Sequence, residues 1–306
     1  MSTEGSTKAI LAALAANAGI AAAKFVGFLI TGSSSMLAES VHSVADTSNQ
    51  GLLLFGQRQA RKEADSLHQF GYGRSRYFYA FVVALVLFSL GAIFALYEGY
   101  HKISHPQPLT SPLVAIVILV VAIGLESYSF RTAMVESRPL KGGSSWWEFI
   151  RRSRNPELPV VLLEDTGALI GLVFALLGVG LTVLTGDAIW DGIGTMMIGA
   201  LLGVIAVILM IEMHSLLIGE GATADDCTAI QTALEQTEHV DRVIHLRTQY
   251  LGPEEMLVGA KIALAADTDL LTVATTIDNA EAAVRAKVPA AKVIYLEPDL
   301  DRAVRV

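Results

Sequence analysis

The stretch Glu39-Ser40-Val41-His42-Ser43-Val44-Ala45-Asp46-Thr47-Ser48-Asn49-Gln50 decides how the chain is read. It lies inside an otherwise apolar segment, where a charged side chain costs about 2.5–3.5 kcal/mol on insertion scales. Residues three and four apart share a helix face, so Glu39, His42, Asp46 and Asn49 form one polar stripe. An imidazole and a carboxylate one turn apart, His42 and Asp46, can bind one metal ion together. Polar stripes in membrane helices also serve as glue between helices. Two ionisable groups in register are an expensive way to make glue, which favours a metal.

The surrounding sequence is that of a membrane protein. Of its 306 residues, 53% are hydrophobic and 17% charged, and the mean hydropathy is +0.51. A soluble α/β protein of average composition is far less apolar. Spanning a bilayer takes about 20 apolar residues. Six segments satisfy this: Lys8–Thr31, Met36–Gly56, Tyr77–Tyr100, Pro112–Val135, Pro159–Leu184 and Ile189–Ile218. The first is too long for the core of a signal peptide and leads at once into the second, so it is read as a span.

Basic residues set the orientation. Arg58, Arg61, Lys62, Arg74 and Arg76 follow the second span, and Arg138, Lys141, Arg151, Arg152 and Arg154 follow the fourth. The turns Thr31–Ser35 and Thr185–Ala188 carry none, and the loop after Tyr100 has only Lys102. Both termini are therefore expected in the cytoplasm, with a bacterial cell membrane as the expected setting. The single cysteine, Cys227, can form neither an internal disulfide nor a thiolate cluster, and reads as a small core residue. Any metal site must use imidazole and carboxylate ligands.

The spans hold further ionisable groups. Asn17 and Lys24 share a face of the first, and Lys24 either neutralises a carboxylate on a neighbouring helix or reaches for the interface. Glu126, in the fourth span, is read as a relay carboxylate or, by preference, as the partner of Lys24. The fifth span opens near Pro159 and contains Glu164-Asp165, adjacent carboxylates that demand a cation. A metal shared with His42 and Asp46 supplies one. The competing reading is an ion pair with Lys24, but one lysine cannot satisfy both carboxylates and Asp46. Gly167/Gly171 and Gly199/Gly203 are small faces for close helix packing. In the loop after span four, Trp146, Trp147 and nearby arginines suit a headgroup layer. In the loop after span two, Asp65 and His68 are an i, i+3 pair if helical, or a helix cap and a packed ring.

After Gly219 the sequence becomes that of a soluble domain. Helices are expected at Thr223–Glu238, with Thr223 as cap, and at Thr272–Lys287. Strands are expected at Val243–Leu251, Met256–Leu264 and Lys292–Leu296. The αββαβ order predicts a two-layer sandwich with both helices on one sheet face. The domain limits read as 1–219 for the six-helix membrane part and 220–306 for the cytoplasmic α+β, ferredoxin-like part.

These motifs together resemble the cation diffusion facilitator family, zinc transporters with six membrane helices and a cytoplasmic αββαβ domain. The carriers are Glu39-Ser-Val-His42-Ser-Val-Ala-Asp46, Asp65-x-x-His68-x-Phe-Gly-Tyr-Gly73, Asp165 with Gly171, Leu216-Leu217-Ile218-Gly219-Glu220 and Leu246-Arg247-Thr248. The resemblance implies that His42 and Asp46 on span two and Asp165 on span five hold the transported ion. The remaining ligand is usually a histidine where this chain has Val161. It resembles a branch with a Glu-Asp pair, which makes Glu164 the candidate, with Glu39 or water as fallback. Glu164 points about 100° from Asp165 on an ideal helix and would need local rotation.

The family's cytoplasmic sites are incomplete, with Tyr72 and Tyr295 at positions often held by histidine, so Asp65 and His68 keep only a residual claim to a loop site. The resemblance implies a homodimer, no prosthetic group, no enzymatic activity, and proton-coupled antiport of Zn²⁺ by alternating access. A three-carboxylate, one-imidazole set also suits Mn²⁺ or Fe²⁺. An intramembrane metal-dependent hydrolase is the alternative of another class. It lacks the expected His-Glu-x-x-His pattern.

Overall fold

The computed structural model describes residues 18–300. The chain divides into two compact units, one built from the chain up to Gln57 with Phe78–Met213, the other from Arg58–Tyr77 with the chain from His214 onward.

The first unit is helical. Its elements are α1 (Ala18–Thr31), α2 (Ser34–Ala60), α3 (Ser75–Ser104), α4 (Pro112–Lys141), α5 (Trp146–Arg152), α6 (Glu157–Thr185) and α7 (Ile189–Ile218); the ends of α2, α3 and α7 run into the other unit. Among the described residues, α3, α4, α6 and α7 are long and apolar enough to cross a membrane. The other two expected spans differ for separate reasons. Residues 8–17, including Asn17, lie outside the described part, which leaves α1 as a shorter apolar helix. α2 is long enough, but its buried face carries Ser34, Ser35, Glu39, Ser40, His42, Ser43, Asp46 and Asn49, and these dilute its apolar character. Leu29, Leu90, Ile93, Val117, Leu177 and Val204 are exposed on the helix surfaces, as lipid contact requires.

Local chemistry sets the helix ends. Pro112 sits in the first turn of α4, where its missing N–H costs nothing. Ser145 Oγ accepts the Glu148 N–H to start α5. Gly186, with φ 75°, ends α6 in a left-handed cap that glycine adopts without strain. Trp146 of α5 packs with Phe149, Ala133 and Leu162, so of the tryptophan pair Trp147 is the half-exposed one. α4 packs along α6.

The turn between α1 and α2 is held by Asp191, a fully buried acid in the first turn of α7. Its carboxylate accepts from Ser33 Oγ at 2.7 Å and from the Ser34 N–H at 2.8 Å. It thereby caps α2 from a neighbouring helix and places a negative charge at the positive end of that helix. Lys102 Nζ donates to Gly32 O at 3.0 Å, and Ser34 Oγ donates to Glu98 at 3.0 Å. The depth of α2 in the bundle is thus fixed at its first turn.

The second unit has the expected αββαβ order: α8 (Ala224–Glu235), β1 (Arg242–Gly252), β2 (Glu255–Ala263), α9 (Leu270–Lys287) and β3 (Ala291–Asp299). Thr223 caps α8 and Asp269 caps α9. β2 lies between β1, antiparallel, and β3, parallel, with α9 as the crossover that a parallel pair requires. Ile230, Leu234, Met256, Val258, Val284 and Ile294 form its core. The segment Arg58–Tyr77 belongs to this unit. A Cβ on Gly73 would stand 2.7 Å from Leu251 O, and Arg76 reaches Glu254 at 3.8 Å.

Candidate metal centre

The polar stripe of α2 is buried along its length. His42 Nδ1 lies 3.5 Å from Asp46 Oδ1, as one helical turn dictates. On α6, Glu164 and Asp165 are both buried, and Asp165 accepts from Ser129 Oγ of α4 at 3.3 Å. Asp46, Glu126, Glu164 and Asp165, with Ile20, Ser43, Gln50 and Ser129, line one cavity of about 20 Å³. That is room for roughly one water molecule, or one ion. His42 stands behind Asp46, outside this lining.

α6 is an unbroken helix, yet Glu164 and Asp165 face the same cavity. Among the described residues no three His, Cys, Asp or Glu side chains converge on a single point as metal ligands would. These carboxylates line the cavity without converging on one point.

The electrostatics of the cavity are unbalanced. Among the described residues, Asp46 Oδ1 and Glu164 Oε2 of the cavity wall are buried without a hydrogen-bond partner, as is Glu39 Oε1 on the same stripe of α2. Leaving an ionised oxygen so placed costs several kcal/mol or more unless a cation meets it. Lys24 provides one for Glu39, but is not bonded to Asp46 or Glu164. Its buried ammonium donates to Glu39 Oε2 at 3.1 Å and to Ser43 Oγ at 2.8 Å. The preferred pairing of Lys24 with Glu126 is therefore replaced by Lys24–Glu39, which α1 reaches across the face of α2. This also answers the choice left open for Lys24: it neutralises a neighbouring carboxylate rather than reaching outward. The remaining acids of the cavity keep their demand for positive charge.

Gly171, read as a packing residue, has a second use. A Cβ there would stand 2.6 Å from Glu39 Oε1, so its small size admits the Glu39 carboxylate against α6. Gly167 packs on Ile205, and Gly199 on Ala92 and Leu96, as ordinary close contacts. The sequence reading also passed over Asp191. An acid in the first turn of a long apolar helix was the available signal.

In the loop, Asp65 and His68 are neither helical nor buried. Asp65 Oδ1 accepts the backbone N–H groups of Leu67 and His68 at 2.9 and 2.6 Å, and Oδ2 accepts the Tyr72 hydroxyl at 2.6 Å. His68 Nδ1 lies 3.5 Å from Asp65 Oδ1, and its ring lies against Tyr72. The Tyr72 hydroxyl and then the His68 N–H hold the Asp65 carboxyl down at about 2, while the same bond raises the Tyr72 phenol. Near the end of β3, Glu297 and Asp299 are bridged by Lys261 at 2.8 and 3.2 Å. These acids already have their cation.

A family model described as the cation efflux transmembrane domain matches residues 10–218. Over 251 residues the chain is 32% identical to the proton-coupled zinc antiporter SLC30A9, mitochondrial, of Mus musculus and of Homo sapiens, covering 81% of this chain and 44% of each relative. It is 29% identical over 259 residues to metal tolerance protein C4 of Arabidopsis thaliana, covering 84% of this chain and 57% of the relative. The chain spans about half the length of the curated relatives it matches.

Proposed function

This chain belongs to the cation efflux family, and we propose that it carries Zn²⁺ across a membrane in exchange for protons. The single observation that carries the reading is the small cavity between α2, α4 and α6, lined by four carboxylates, of which Asp46 and Glu164 each keep a buried oxygen with no hydrogen-bond partner among the described residues. His42, Asp46, Glu164 and Asp165 are the proposed ligands, one imidazole and three carboxylates from two helices.

Binding needs a neutral imidazole and ionised carboxylates, so an arriving cation expels protons, and protons arriving from the other side expel the cation. Alternating access then follows from exposing the cavity to one side at a time. Mn²⁺ or Fe²⁺ is the second reading of the cargo, favoured by the excess of oxygen donors. Both termini are proposed to be cytoplasmic, on the strength of the basic residues after α2 and α4. The working form is proposed to be a homodimer, and 1–219 and 220–306 its membrane and cytoplasmic domains. Asp65 and His68 are proposed to lock the loop, since both Asp65 oxygens are engaged by the loop itself.

Zinc uptake into inside-out vesicles under an imposed pH gradient tests this reading. Zinc entry accompanied by proton exit is expected. Zinc flux that ignores the gradient, or no flux, contradicts it.

A further inference from the structure

Resting on that reading of the cavity, we propose that Glu126 of α4 is an additional ligand of the transported cation and broadens the site's choice of metal toward Mn²⁺. The carboxylate lining comes from three helices rather than two: Asp46 from α2, Glu164 and Asp165 from α6, and Glu126 from α4. Glu126 and Ser129 are one turn apart on the same face of α4. Ser129 donates to Asp165 at 3.3 Å, which fixes that face against the ligand-bearing part of α6. Glu126 therefore stands at the cavity by construction of the helix pair.

The cavity also contains an independent demand for a cation. Glu164 Oε2 and Asp46 Oδ1 are buried in its wall with no hydrogen-bond partner among the described residues. Lys24, whose pairing with Glu126 would have given that residue a purely structural role, is bonded to Glu39 and Ser43 instead.

The chemistry of the added group fixes its consequence. Zn²⁺ is satisfied by four donors and binds imidazole well. Mn²⁺ favours six oxygen-rich donors and gains more from an extra carboxylate. Glu126 thus acts on which cation is accepted more than on whether one is. A Glu126 that only supports the helix pair would affect both metals alike.

Equilibrium binding of Mn²⁺ and of Zn²⁺ to the detergent-solubilised full chain separates these. In E126Q the Mn²⁺ dissociation constant is expected to rise about 10–100-fold, the range for losing a group that supports a metal site. The Zn²⁺ constant is expected to move by less than about 3-fold, because four donors remain. Equal changes for both metals, or no change for either, overturn the inference. E126D keeps the charge and guards against misfolding of E126Q. It is expected to restore part or all of the Mn²⁺ affinity that E126Q loses, and an E126D as weak for Mn²⁺ as E126Q overturns the inference too. D165N is the control for the underlying reading: it should lose both metals. If D165N binds both as the wild type does, the cavity reading itself fails, whatever Glu126 does.

Discussion

Asp65 and Asp165 are the same side chain in opposite circumstances. Asp65 is exposed, yet both its carboxylate oxygens are engaged, by two backbone N–H groups and a phenol within seven residues. Asp165 is buried beside Glu164 and Asp46, and accepts from one serine hydroxyl of another helix, Ser129. The exposed acid is open to solvent and is bonded by its own loop as well. The buried acids, which need help most, have been left facing a cavity. A fold tolerates that arrangement only if something outside the chain completes it.

The largest effect expected from this contrast is on transport. Asp165→Asn should lower zinc uptake into vesicles by on the order of 100-fold, the upper range for disrupting a metal site. Wild-type uptake by this variant would place the cation elsewhere. Next comes the pair that does have its own cation. Lys24→Met leaves Glu39 buried and unmatched, at a cost of about 3–5 kcal/mol. Adding Glu39→Gln should recover most of the lost denaturation midpoint, and a double variant no better than Lys24→Met would show that the lysine acts through something other than Glu39.

A smaller effect is expected where Glu39 meets α6. Gly171→Ala places a methyl 2.6 Å from Glu39 Oε1, an overpacking worth about 1–3 kcal/mol. The same substitution in a Glu39→Ala background should cost little, which thermal melts of the two pairs would reveal. The smallest effect belongs to Asp65. Its folded value of about 2 lies below the ordinary carboxylate value of roughly 3.9. A depressed acid stabilises the fold above the unfolded value, and that contribution disappears as pH falls from about 4 towards 2. Carboxyl NMR titration should show the low midpoint, and Tyr72→Phe should return it upward. A midpoint unmoved by Tyr72→Phe would leave the backbone donors as the whole cause.

Much of this was legible beforehand because it follows from periodicity. The stripe Glu39–His42–Asp46 is set by 3.6 residues per turn, and the αββαβ order by alternating strands and by the cap Thr223, whereas the cap Asp269, which starts α9 two residues earlier than expected, was not read. What periodicity leaves open is which helix faces which. Lys24 had several acids to choose among, and packing gave it Glu39 rather than Glu126. Asp191 was invisible for the same reason, since its partners Ser33 and Ser34 lie more than 150 residues away. Gly171 read as a packing glycine because no local pattern marks a glycine that admits a carboxylate. Asp65 was read through helical spacing, whereas the glycines at 71 and 73 belong to a non-helical loop that closes on it.

The central claim is that acids of α2 and α6 serve one and the same ion. A double-mutant cycle on equilibrium zinc binding tests it most directly, with Asp46→Asn, Asp165→Asn and the combined variant. Groups sharing one ion are strongly coupled, so each single substitution should remove the same bound zinc and the pair should remove no more. Additive losses, with each substitution abolishing a different ion or leaving zinc affinity intact, would contradict the account.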